Sequence, residues 1–350
     1  MDHDWIEEST SSERTVLDPP GRPRPSIPLR EPDGLVLKDV HGESLLRRLG
    51  RGMARPFRAA GDVQALAESG RWVQQPVNTG LRIAVTGVQG GAGKSTVAAL
   101  LAATFARYRQ DRVLALDLDP EFGSLPLRLG VSSGRSLADL RRAGLGTAPF
   151  EEIKPYLAQP GERLWAMPGS PGWRGEADHG AAAVYRSAGL PLSRFFGVTV
   201  IDCGGGPRTD LHRAVLASAH AQVLVTPGTA MGAAGVSRAF TRLRAGDLRE
   251  LVQRTLVVFT VQTPQGGLSM DLATARESLR KVGSDAVVLG FDRHLAVGTT
   301  VDSARLGHPA RVTAVEAAAG AIRRALPSRS SPLEGEGRRL GPDTGGRGKP

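Results

Sequence analysis

The chain has 350 residues, 40% of them hydrophobic, 23% charged and only 5% aromatic, a balance that supports an ordinary soluble core and excludes a wholly disordered, collagen-like or coiled-coil chain. A formal net charge of +10 would suit nucleic acid or an acidic membrane, yet only five of the 45 basic residues are lysines, and the arginine excess reads in part as the codon bias of a GC-rich genome. No apolar run approaches about 18 residues, which excludes a membrane-spanning helix, and the single cysteine, Cys203, excludes an internal disulfide or a multi-cysteine metal site.

Residues 1–78 open on MDHDWIEESTSSER, acidic and polar where a secretory signal is basic and then apolar, so the expected compartment is the cytoplasm. Stretches such as DPPGRPRPSIPLREPDG bury too little apolar area to offset ordering entropy, and the segment is expected to be a largely disordered arm. Within it, residues 44–61 carry Arg47, Arg48, Arg51, Arg55 and Arg58 with no acid, while Leu45, Leu49, Met53 and Phe57 recur every fourth position. Such a basic amphipathic stretch suits an anionic membrane surface, DNA or an adaptor protein, although Gly50, Gly52 and Pro56 would interrupt a helix. Those alternatives stay open at this level.

Residues 79–326 alternate short apolar runs with helical patterns. Strands are expected at 82–86, 112–117, 163–167, 198–202, 222–226, 255–261 and 286–290, and helices at 94–108, 211–219, 233–245, 268–282 and 313–326. Continuous apolar strands separated by helices imply an α/β fold: a doubly wound, mostly parallel sheet covered on both faces. The basic excess belongs to this segment, with 29 basic against 20 acidic residues over 81–326, whereas the two arms nearly cancel. From 327 to 350 the chain is mostly Gly, Pro, Ser and Arg and reads as a disordered tail.

The sharpest local signal is RIAVTGVQGGAGKST, a strand, a glycine-rich turn and the start of a helix. Backbone N–H groups of such a turn, together with the helix dipole, cradle phosphates. The candidate cradle is Val88, Gln89, Gly90, Gly91, Ala92, Gly93, Lys94, Ser95 and Thr96. Glycines let the backbone approach the phosphates, Lys94 would neutralise the β- and γ-phosphates, the Ser95 hydroxyl would ligate Mg²⁺, and Thr96 would extend hydrogen bonding toward the α-phosphate. One departure from the G-x4-G-K-[ST] pattern stands at Val88, where its first glycine belongs.

VQGGAGKST resembles the deviant phosphate loop of the ParA/MinD family of P-loop ATPases, the CobQ/CobB/MinD/ParA nucleotide-binding domain, in an actinobacterial MinD-like form. The likeness runs on through DLDP at 117–120, VTVIDCGGG at 198–206, QVLVTPGT at 222–229 and the late loop VVLGFDRHLAVGTTVD at 287–302. What the resemblance implies is a nucleotide-dependent switch: ATP and Mg²⁺ close two protomers into a homodimer, Asp119 positions the attacking water, and Asp117 and Asp202 act on Mg²⁺. It also implies cargo such as DNA, an adaptor, or a secretion or conjugation machine. Iron–sulfur relatives of the fold need paired cysteines, which this chain lacks. The family's signature lysine, which reaches the partner's phosphates, is Gln89 here. Slow hydrolysis, an arginine in its place, or a non-hydrolysing nucleotide-bound scaffold are the readings that follow.

Overall fold

β1 (Leu81–Gly87) is buried along nearly its whole length, and everything else in the fold is arranged around it. It lies at the centre of a seven-stranded sheet whose order is β3-β2-β4-β1-β5-β6-β7, and every pairing in that sheet is parallel. The computed structural model describes residues 55–77, 80–119, 123–132, 134–169, 178–204, 209–264 and 267–326. The expected tail from 327 and the basic cluster up to residue 54 lie outside these.

In chain order, α1 (Arg55–Val73) precedes β1, and α2 (Lys94–Tyr108) leads to β2 (Val113–Asp117). The short helices α3 (Leu125–Leu129), α4 (Leu137–Arg142) and α5 (Phe150–Ile153) bring the chain to β3 (Leu164–Met167). Helix α6 (Asp178–Val184) runs on through a π turn at Tyr185–Gly189 toward β4 (Val198–Asp202). Thereafter strand and helix alternate: α7 (Asp210–Ser218), β5 (Ala221–Pro227), α8 (Ala230–Ala245), β6 (Thr255–Thr260), α9 (Leu272–Arg280) and β7 (Asp285–Leu289), closed by α10 (Arg293–Ala296) and α11 (His308–Ala325).

The strands read as continuous apolar runs because both faces of the sheet are covered. Side chains still alternate. Ile83, Val85, Val113, Ala115, Val223 and Val225 pack in the layer that holds α2 and α11. Ala84, Leu114, Leu116, Ile201, Leu224 and Phe259 pack in the opposite layer with α7 and α8. The alanines of α11 let that helix lie close to the sheet: a Cβ built on Gly320 would stand 3.0 Å from a Leu256 methyl carbon.

Helix α1 lies ahead of residue 79, where composition places the start of the folded domain. Val73 is fully buried, and Leu66, Trp72 and Val77 pack against the core layer of α2 and α11. The buried guanidinium of Arg109 fixes the end of the helix by donating to the carbonyls of Val73 at 2.7 Å and Gln75 at 2.9 Å while also pairing with Asp111. Pro56 does not break α1, because it falls in the first turn, where a missing N–H costs nothing.

Candidate functional site

Three chain segments meet at the carboxyl ends of β1, β2 and β4, the crevice in which open parallel sheets bind ligands. The first is the glycine turn between β1 and α2. Gly91 (φ 72°) and Gly93 (φ 89°) adopt left-handed backbone that L side chains avoid. The loop is tied to β6 and the residues after it, because Thr260 Oγ1 donates to the Ala92 carbonyl at 3.1 Å and Gln262 Nε2 donates to the Gly91 carbonyl at 2.6 Å. With those carbonyls engaged toward β6, the loop's N–H groups are the ones left for an anion. Helix α2 starts at Gly93 with no side-chain cap and no acid in its first turn, whereas Thr209 and Thr229 cap α7 and α8. Its first N–H groups and dipole therefore favour an external anion.

Lys94 bends back along the loop. A Cβ on Gly87 would come within 2.7 Å of Lys94 Cδ, so glycine at 87 is what lets the lysine stem lie over the end of β1. Val88, the departure from the pattern, is a buttress: its methyls pack on α8 so closely that a Cβ on Gly235 would stand 2.9 Å away. Gln89, Gly90 and Gly91 form the exposed shoulder of the turn.

The second and third segments carry carboxylates. Asp117 and Asp202 are register partners at the ends of β2 and β4, both fully buried. Asp117 Oδ1 accepts the Asp119 backbone N–H at 2.9 Å, but Asp117 Oδ2 and both oxygens of Asp202 have no hydrogen-bond partner among the described residues. Burial, and then the neighbouring Asp202, push Asp117 up to about 8, against hydrogen bonds from the backbone of Asp119 and Leu125. Burial pushes Asp202 up to about 6, offset in part by the Ser95 hydroxyl beside it and the Lys94 charge. Two adjacent buried acids with three orphan oxygens are a donor set whose chemistry suits a cation.

These shifts fix how stability depends on pH. Both acids bind protons more tightly folded than unfolded, so the penalty is absent below pH 4, grows as pH rises through about 6 and 8, and is full above. Asp117→Asn is therefore expected to stabilise the ligand-free protein at pH 8 by at least about 1 kcal/mol, with little change at pH 4. Thermal unfolding at the two pH values checks it, and a variant less stable than the native protein at pH 8 would refute the assignment.

A cavity of about 230 Å³ opens beside the loop, lined by Gly91 to Gly93, Thr96, Thr260 to Gln262 and the late loop from Leu289 to Asp292, with Arg128 reaching in from α3. Thr260, Gln262 and Arg128 were not legible in the sequence, since each comes from a segment far along the chain from the loop. Cys203, next to Asp202, is buried, and burial pushes its thiol far above the usual range, so it is a packing residue. His212 and His220 are held near 4, chiefly by burial, and no cluster of three metal-ligating side chains exists among the described residues. No helix among the described residues is long and apolar enough to cross a membrane.

Residues 83–298 match the family model described as the CobQ/CobB/MinD/ParA nucleotide binding domain. The chain is 33% identical over 222 residues, 63% of its length, to the ESX-1 secretion-associated protein EspI of Mycobacterium tuberculosis, and it spans about a third of the length of the curated relatives it matches. Among solved structures it is similar to a ParA family ATPase from Chlorobium tepidum TLS (TM-score 0.55, 16% identity, 68% of this chain and 98% of that one). It is also similar to the septum site-determining protein MinD of Pyrococcus horikoshii OT3, complexed with Mg-ADP (TM-score 0.51, 20% identity, 68% and 94%).

Proposed function

This chain belongs to the CobQ/CobB/MinD/ParA nucleotide-binding family, and from that premise we propose that it is an ATP- and Mg²⁺-dependent switch that acts through a homodimer. The observation that carries the proposal is the convergence of an uncapped, glycine-rich helix start with two buried carboxylates on adjacent strands, three of whose oxygens have no hydrogen-bond partner among the described residues. The residues fit the ligand. Val88 to Thr96 would hold the phosphate chain, with Lys94 as its cation, and Ser95, Asp117 and Asp202 would hold Mg²⁺, giving the orphan oxygens the partner they lack, directly or through water. When bound, the nucleotide and its metal supply the free energy that distinguishes two states of the chain.

Asp119 lies two residues beyond Asp117 and is assigned the role of positioning water; its backbone N–H is already anchored on Asp117. Bound Mg²⁺ would return both buried acids to their ionised forms, since an adjacent divalent charge outweighs their mutual repulsion.

Dimerisation through this end of the sheet is supported by surface chemistry. Among the described residues the exposed large hydrophobics are Val63, Leu127, Met231 and Val297. The last three follow the carboxyl ends of β2, β5 and β7, on the side where the phosphate loop opens. The name of the Mycobacterium tuberculosis relative makes a secretion machine our first choice of cargo, ahead of DNA or another adaptor. Purified protein is expected to gain thermal stability and to double in mass by light scattering on adding Mg²⁺ and a non-hydrolysable ATP analogue. Neither change occurring would sink the reading.

A second reading, a nucleotide-bound scaffold that does not hydrolyse, is favoured by one feature, the neutral and exposed Gln89 in place of the family's lysine.

A further inference from the structure

Among the described residues, Arg128 is the cation of the late-loop cavity that the family motif does not account for. It sits on α3, shortly after the Asp117–Asp119 segment, and lines the cavity together with Gly91 to Gly93 and Thr96. Its Nε is buried and has no hydrogen-bond partner among the described residues. Among the described residues the guanidinium's hydrogen bond runs from Nη1 to the Leu295 carbonyl at 3.5 Å, the outer limit of such a contact. The carboxylate that shares the cavity, Asp292, is occupied by backbone donors, accepting from Leu295 N at 3.1 Å and Gly307 N at 2.8 Å.

The backbone around this arginine is held firmly. Its N–H donates to the Ser124 carbonyl at 3.1 Å and its carbonyl accepts from Val301 N at 2.7 Å. Gly298, with φ 80°, passes under the guanidinium, and a Cβ there would touch both terminal nitrogens at 3.7 Å. A partly buried, positioned cation with no ion-pair partner among the described residues is costly to keep unless a ligand supplies the anion. A planar guanidinium matches a phosphate through two parallel N–H donors.

Resting on the nucleotide reading above, we infer that Arg128 is a phosphate-contacting residue in cis, gripping the α-phosphate at the Thr96 end of the loop and tying α3 to the bound nucleotide. The contact would give the segment after Asp119 a direct stake in whether the site is filled.

The test is calorimetric titration of the full chain with ATP, ADP and adenosine, for native protein, R128A, R128K and, as reference, K94A. R128A is expected to weaken ATP and ADP by the same factor, about 10-fold, the worth of a charge-assisted pair, and to leave adenosine unchanged. R128K, which keeps the charge and loses the fork, should fall between, and it carries the comparison if R128A does not fold. R128A binding ATP within two-fold of native while K94A loses it overturns this proposal and leaves the nucleotide site standing. A loss confined to ATP also overturns it, since that places the arginine on the γ-phosphate. Native protein that binds neither nucleotide overturns the nucleotide reading itself.

Discussion

Lys94→Ala is expected to weaken ATP binding by about 100-fold, the upper end of what one charge-assisted phosphate contact supplies, while leaving the unfolding temperature nearly unchanged. The lysine stem crosses Gly87 at van der Waals distance, so its direction is set by the absence of a side chain there. No ion pair to Lys94 exists among the described residues, and removing the ammonium therefore breaks no salt bridge. It does remove the positive charge that offsets the burial of Asp202, which moves that acid further upward. The same variant should accordingly lose the stabilisation by Mg²⁺-nucleotide that the native chain shows in a thermal scan. Native-like ATP affinity in Lys94→Ala would remove the phosphate loop from the mechanism.

Much of this site is local in the sequence, and what is local was legible. Lys94 to Tyr108 is a helix with the expected ends, and all seven strands lie within two residues of where apolar runs placed them. Gly90, Gly91 and Gly93 announce a turn by composition alone, and Asp117 and Asp202 stand at strand ends because each closes an apolar run. Other features needed the fold. Val88 looked like a defect in the motif until α8 came beside it, with Gly235 making the room. Helix α1 has too weak an apolar face to declare itself; what holds it is burial of Val73 and Trp72 against the core and the hydrogen bonds of Arg109, a residue far from it in sequence. Short helices such as α3 leave no 3.6-residue period to read, so Arg128 remained one arginine among forty until its neighbours were known.

The excess of arginine bears on the site in another way. Lysine is scarce in this chain, and the position where the family places its second phosphate-loop lysine holds Gln89. Arg128 is a guanidinium within the same protomer, whereas a lysine at 89 would act across the dimer. On the proposed reading the two cations would not be equivalent: Arg128 would grip bound nucleotide in the isolated chain, and a lysine at 89 would add charge only when two chains meet. A switch built on Arg128 would bind tightly as a monomer and still hydrolyse slowly as a dimer.

Gln89→Lys separates these contributions. The residue is exposed on the shoulder of the loop, so the substitution disturbs no packing, and affinity for ATP in dilute protein should stay within two-fold of native. Turnover should rise by about 10-fold or more, because an ammonium aimed at charge developing on a transferring phosphoryl group, in a site from which a second protomer excludes water, stabilises the transition state far better than a neutral amide. The gain should appear only at protein concentrations where the dimer forms. Steady-state phosphate release measured across a concentration series for native, Gln89→Lys and Gln89→Lys/Lys94→Ala chains decides the matter. Turnover equal in native and Gln89→Lys chains at every concentration would show that no partner's phosphates come within reach of position 89, and the face-to-face dimer would have to be abandoned. A native chain that binds ATP without turning it over, beside a Gln89→Lys chain that hydrolyses it, would identify the native protein as the non-hydrolysing scaffold, held in that state by one amide where an ammonium would act.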